Sequence, residues 1–394
     1  MHLQSILVYL TLIIIMVLCG IYTMSQYSYA IKNNRSYYKS NFFWRIDIIL
    51  PILLFSILMG MRFNVGYDHL TYLDGYLSKN YIGKDEPLFF LISEISWYFN
   101  LHYTVYFGII AFLQITFFYL SFKDERYLLP FLMFFLFTNG THQSWVNIIR
   151  QSLATCIWLY SLKYIDNKKP LTYLLICLLL YFIHRSALIL LFFYPVLKSD
   201  KDIFKNVKIQ LILLGISFII GKYFYIIEKW LELLIEFYIS ILGKDFYLNY
   251  TIDNMLENVA DSGSGLAYFF KLLLNITIII QSKKLKLYFN RRRFKIIYSL
   301  FFIGLLFFYI FPIGSISFTR PFRYLYIFQT IMYSYYAYYL YKNYKRQPIY
   351  LFLLIIIIMT FIGIFILSQY FADEQSSTLY QFYFQNKYIY GYPR

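Results

Sequence analysis

Apolar runs recur along the whole chain, separated by short polar segments. They cover 3–23, 43–60, 101–122, 127–138, 146–165, 170–184, 186–197, 209–222, 264–281, 296–312, 323–341 and 349–370. A helix that crosses a bilayer needs about 20 such residues. The pattern predicts an all-α, polytopic integral membrane protein with about 12 membrane segments, in a single transmembrane domain over 1–394. The first run has no basic flank before it and no small-residue cleavage site after it, so it reads as a span rather than a removed leader. The stretch 170–197 lies between two basic segments and is short for two full spans. It reads as a short helical hairpin whose arms meet at His184-Arg185-Ser186, with non-helical backbone sheltered by protein or water.

Composition agrees with this pattern. Hydrophobic residues make up 60% and charged residues 14%, which excludes a soluble enzyme, a disordered chain and a nucleic-acid binder. The net charge of +16 then reads as basic cytoplasmic loops. Lys32, Arg35 and Lys39 place 24–42 inside, and alternation puts the turn Lys123–Arg126, Lys163/Lys168/Lys169, Lys198–Lys208, Lys283–Lys295 and Lys342–Arg346 there too. The loops 61–100 and 223–263 fall outside, each with an expected interfacial helix. In the first, Asp85-Glu86-Pro87 opens a helix through Tyr98, because Pro suits the first helical position and Glu86 reads as its cap. In the second, Glu228, Glu232 and Glu236 line one face of a helix over 224–242. Cys19, Cys156 and Cys177 sit in apolar runs and have no metal or redox spacing, so no cofactor and no metal are expected.

The informative residues are charges on the wrong side of this topology. Arg62, Arg150, Arg185, Arg320 and Arg323 all fall at outer ends of spans. Charges there are costly and point to function, and the planar guanidinium fork suits phosphate oxygens. Snorkelling, or pairing with acidic outer loops, is the plain alternative. Asp68 lies six residues beyond Arg62 and either pairs with it or acts on a hydroxyl as a base. Asn147, Arg150 and Gln151 share a helix end, with His142 just upstream at an expected interfacial position. His184 either takes a proton or simply hydrogen-bonds at a helix end. Arg320 and Arg323 open a span behind Pro321. The triplet Arg291-Arg292-Arg293 reads as a topology or anionic-lipid signal.

Five motifs follow one another in order: Arg62-x-x-x-Gly66-x-Asp68-x-x-x-Tyr72, Glu86-Pro-Leu-Phe, Ile-Arg150-Gln151-Ser-Leu-Ala154, Phe182-Ile-His184-Arg185-Ser186-Ala187-Leu188 and Arg320-x-x-Arg323-Tyr324. Together they resemble the EpsG family of Wzy-like polysaccharide polymerases, over about 50–340. The resemblance implies a metal-independent membrane glycosyltransferase of GT-C-like architecture in the bacterial plasma membrane, with its active site on the outer side. Its substrate would be an undecaprenyl-diphosphate-linked oligosaccharide, and its neighbours a flippase and a chain-length regulator. In that scheme Asp68 and His184 are the catalytic candidates. Arg62, Arg150, Arg185, Arg320, Arg323, Gln151 and Glu86 bind diphosphate or glycan. A flippase of the same lipid-linked glycan, a membrane O-acyltransferase and a non-enzymatic scaffold are the competing readings. A flippase would carry internal repeats and midplane charges, of which only Lys271 is a trace.

Overall fold

Helices follow the apolar runs almost one for one. The computed structural model describes residues 1–32, 44–79, 86–199, 202–224, 265–311, 320–372, 378–385, 388–389 and 392–393. Apart from a pair of two-residue strands, β1 (Tyr388–Ile389) and β2 (Tyr392–Pro393), the regular structure there is helical. The expected acidic helix over 224–242 lies almost wholly outside the described residues. The chain divides into two compact units, Met1–Lys198 with Tyr333–Arg394, and Ser199–Met332.

In the first unit, α1 (His2–Lys32) packs along α6 (Leu129–Thr138), and α16 (Ile349–Tyr370) lies against both. The helices α2 (Ile46–Gly60), α5 (Tyr103–Ser121) and α8 (Ile149–Asp166) pack in series, α5 in the middle, and α9 (Pro170–Tyr181) packs on α8. The approach of α2 to α5 depends on small residues. A Cβ on Gly60 would meet the Thr104 carbonyl oxygen at 2.5 Å and the Gly108 Cα at 3.0 Å, a contact of the kind that brings membrane helices together by dispersion rather than by hydrophobic exclusion. Shorter helices cluster at helix ends: α3 (His69–Leu77), α4 (Pro87–Tyr98), α7 (Thr141–Asn147) and α10 (Phe193–Leu197). The hairpin expected at 170–197 is present as two short arms: α9, then a 3-10 stretch over Arg185–Phe192 running into α10.

In the second unit, α11 (Val207–Lys222) packs on α14 (Arg292–Ile310). The helices α12 (Leu266–Ile280) and α13 (Ser282–Phe289) meet at a 62° bend. Lys286 is not a loose topology charge. Its Nζ lies 2.8 Å and 3.0 Å from the two Asp202 carboxylate oxygens, 2.6 Å from the Phe204 carbonyl oxygen and 4.1 Å from the centre of the Tyr298 ring. A 3-10 turn over Arg320–Leu325 follows, with Phe322 stacked 3.8 Å from Phe307. Helix α15 (Ile327–Asn343) starts in this unit and continues into the first, where Tyr335 donates to Glu125 at 2.7 Å.

Among the described residues four helices are long and apolar enough to cross a membrane: His2–Ala30, α5, α14 and α16; a fifth is made if the bent pair counts as one span. The sequence pattern suggested about twelve. The difference has local causes. The runs at 43–60, 127–138, 170–184 and 186–197 form apolar helices of only 10–17 residues. Pro130 and Pro170 sit in the first turns of two of them, and Gly140, with φ of +83°, follows the end of α6. Helix α16 turns Leu351, Phe352, Ile355, Met359 and Leu367 outward, which suits lipid as its solvent. Replacing Gly60 by Val should force α2 from α5 and cost about 1–3 kcal/mol. A thermal midpoint in detergent equal to that of the parent chain would refute this packing.

Candidate functional site

The site is assembled where helices stop. Helix α2 ends at Gly60, and the chain turns through Gly66, whose φ is +100°. A Cβ at Gly66 would meet the Val146 carbonyl oxygen at 2.6 Å, so this turn sits directly on the end of α7. Asn147 closes the contact, accepting the Asp68 backbone N–H at 3.1 Å. Helix α3 then begins at His69 and carries Tyr72 inward.

Between α7 and α8 the helix breaks at Ile148, where φ is −93° and ψ is +60°. The buried Gln114 amide spans the break, donating to the Trp145 and Ile149 carbonyl oxygens at 3.2 Å each. Arg150 therefore emerges on the first turn of α8. Its Nε donates to the Tyr72 hydroxyl at 3.0 Å and its Nη1 to Glu86 Oε2 at 2.6 Å. The other Glu86 oxygen lies 2.8 Å from His184 Nδ1 and accepts the Arg185 backbone N–H at 3.0 Å. The Leu88 N–H donates to the Phe182 carbonyl oxygen at 3.0 Å, which holds the start of α4 against the His184 turn.

Glu86 is only 5% exposed. Burial alone would raise its pKa. The His184 bond, the Arg150 charge and the Arg185 N–H outweigh that, and its carboxyl is held below the usual range. Tyr72 is shifted the other way, burial raising its pKa against the lowering effect of Arg150; the Asp68 and Glu86 charges also raise it. Glu86 does occupy the capping position of α4, with Pro87 first in the helix, but its side chain does not cap. The cap expectation is corrected: the carboxylate faces away from its own helix, toward Arg150 and His184.

Other candidates fall elsewhere. Arg62 is 2% exposed, and its three nitrogens donate to the backbone carbonyls of Met59, Val65 and Val146, with the guanidinium over Phe107. It stitches the end of α2 to the end of α7 and does not join Glu86. Asp68 is exposed beside the cluster, Gln151 is buried on α8, and Arg185 is exposed. Arg323 lies half-buried in the other unit, and the side chain of Arg320 is outside the described residues. His142 is buried among the rings of Tyr9, Phe137 and Phe365 rather than interfacial. Tyr72 closes the first motif but is given no role by the sequence; its other signal is its position four residues after Asp68, one helical turn on. Among the described residues no group of three or more His, Cys, Asp or Glu side chains is placed to hold a metal ion.

The C-terminal segment completes the frame. The Phe63 N–H donates to the Gln381 carbonyl oxygen at 2.8 Å and the Tyr383 N–H to the Met61 carbonyl oxygen at 2.9 Å, so Arg62 and Phe382 form an antiparallel bridge. Comparison with known families decides what this frame belongs to: the model of the EpsG family matches residues 45–382. The chain belongs to the EpsG family. It is a family of Wzy-like polysaccharide polymerases. Every residue of the Glu86 cluster lies inside the EpsG match, which extends to the tail residue that bridges Arg62. No curated protein and no solved structure matches the chain.

The electrostatics give a signed expectation. A carboxylate with a depressed pKa lends stability above its unfolded value, near 4.3, and that stability is lost as pH falls through the lowered folded value. Hydrogen exchange at the Leu88 and Arg185 amides should therefore stay slow from neutral pH into the acid range and quicken only below about 4. In Glu86→Gln the same amides should exchange faster at neutral pH and lose that acid step. An unchanged acid step in the variant would remove Glu86 from the role of anchor.

Proposed function

We propose that this EpsG-family chain polymerises undecaprenyl-diphosphate-linked oligosaccharide repeat units at the outer face of the bacterial plasma membrane, as a metal-independent glycosyltransferase with about twelve membrane segments in a GT-C-like arrangement. The family supports a polysaccharide polymerase. The observation that carries the chemistry is one buried carboxylate shared by Arg150 and His184.

With Glu86 ionised, His184 donates from Nδ1 and turns Nε2 into an acceptor. That nitrogen takes the proton of an acceptor sugar hydroxyl. As it does, the hydroxyl oxygen bonds to the anomeric carbon of the growing chain, and the bond from that carbon to the diphosphate oxygen breaks. The electron pair leaves with undecaprenyl diphosphate. Arg150 and the exposed Arg185 flank Glu86 and stabilise the departing charge. Asp68, exposed next to Tyr72, orients the acceptor hydroxyl. Tyr72 fixes the angle of the Arg150 guanidinium.

The competing flippase reading needs charges along a transport path. The charged cluster here sits at helix ends, which favours chemistry at one side over passage through. Arg150→Ala and Arg323→Ala should abolish chain extension with expression intact, and polymer of normal length in both would sink the arginine site. Glu86→Gln and His184→Ala should lower the extension rate by about 10²–10⁴, the usual worth of general-base catalysis. Deletion of the gene should leave surface glycan one repeat long, whereas total loss of exported glycan would favour the flippase.

A further inference from the structure

Beside the Glu86 cluster is a cavity of about 170 Å³ that the chemistry above does not use. Its walls come from four places: Tyr67 on the Gly66 turn, Gln143, Ser144 and Asn147 on α7, Tyr9 on α1, and Thr378 from the C-terminal segment. The cavity borders the reactive cluster on two strands of chain. Tyr67 directly precedes Asp68, and Asn147 lies three residues before Arg150, across the Ile148 break.

The lining has a consistent chemistry. Tyr67 is 74% exposed. The Asn147 carbonyl is taken by the Asp68 N–H, which leaves its amide NH₂ as a donor. Among the described residues the Gln143 amide and the Ser144 hydroxyl have no hydrogen-bond partner. The described lining residues are all uncharged. An exposed ring beside amide and hydroxyl groups matches a pyranose, which has an apolar face and a rim of hydroxyls. The volume admits one pyranose ring. The turn and α7 are held by Gly66 against Val146, and the tail by Tyr380, whose hydroxyl donates to the Leu58 carbonyl oxygen at 2.6 Å. The site is thus formed before any ligand arrives, which spares the cost of ordering it.

We propose that this cavity is a subsite for a single neutral sugar residue of the glycan, with Tyr67 as its stacking platform and Thr378 as the contact through which the C-terminal segment selects the sugar. The proposal rests on the polymerase reading for the source of the sugar, but its test does not. The full-length chain in lipid nanodiscs is probed by saturation-transfer NMR with methyl glycosides of glucose, galactose and N-acetylglucosamine, and with methyl glucuronoside as the charged comparison. At least one neutral glycoside should receive saturation, and glucuronoside should receive less. Tyr67→Ala, at an exposed position, and Ser144→Trp, which fills the cavity, should each weaken the signal roughly tenfold, the worth of one stacking or hydrogen-bonding group. Thr378→Trp should change the order of preference among the glycosides. Arg150→Ala should bind sugar as the parent chain does. No transfer to the parent chain, equal transfer to Tyr67→Ala, or preference for glucuronoside overturns the subsite. Polymer lost in Arg150→Ala together with unaltered sugar binding in Tyr67→Ala would overturn the subsite and leave the polymerase standing; normal polymer in Arg150→Ala would do the reverse.

Discussion

The Glu86 carboxylate is the constraint on which the arrangement of the site depends. A buried carboxylate is tolerated only when it is paired and fully hydrogen-bonded. Here the pairing draws on two other segments: Arg150 at the start of α8, and the apex of the short hairpin, which supplies both the His184 ring and the Arg185 backbone N–H. Each bond fixes one segment relative to the others, so one charge ties α4 to α8 and to the 182–185 turn, and Arg150 in turn holds Tyr72 of α3. Removing it leaves the half-buried Arg150 guanidinium without its carboxylate partner, a larger loss than the bond itself.

Two arginines that look alike in the sequence have different physical roles. Arg62 and Arg150 both follow or open a helix beside polar residues. Arg62 spends its donors on three backbone carbonyls and is buried at the seam of α2 and α7. Arg150 gives its donors to side chains, a phenol and a carboxylate, in a half-buried setting. Backbone carbonyls cannot titrate or move, so Arg62 works as a staple. The partners of Arg150 are side chains that can titrate or turn, which suits the proposed role of Arg150.

Much of this was legible in the sequence because strong local signals coincide with the element. The helix expected from Pro87 through Tyr98 runs over those residues, as Pro at its first position demands. The short hairpin was readable from its deficit of residues, and its apex falls at His184. Other features were not local. Nothing in the spacing of Glu86 says that its side chain turns from its own helix toward residues 64 and 98 positions away. The number of membrane segments has a similar limit, since apolar composition marks burial as readily as it marks lipid contact. His142 shows the same limit: an isolated histidine near a helix end reads as interfacial until the rings of Tyr9 and Phe365, from distant segments, enclose it.

In a chain this apolar, reactive polar groups can be placed only where helices end. A helix interior satisfies its own backbone and presents side chains to lipid or to other apolar helices. A break frees backbone donors and acceptors that must find partners, and the residues that supply them are the polar ones available for chemistry. Gln114 bridges the Ile148 break, Asn147 holds the Asp68 amide, and Glu86 holds the Arg185 amide. Capping and chemistry therefore fall on the same few side chains, and loss of activity on substitution is ambiguous between them. The separation lies in what the partner is. A side chain whose partners are all backbone, as with Arg62, has only a structural duty. One that divides its bonds between backbone and ionisable side chains, as Glu86 does, keeps the fold and sets the charge of the site at once.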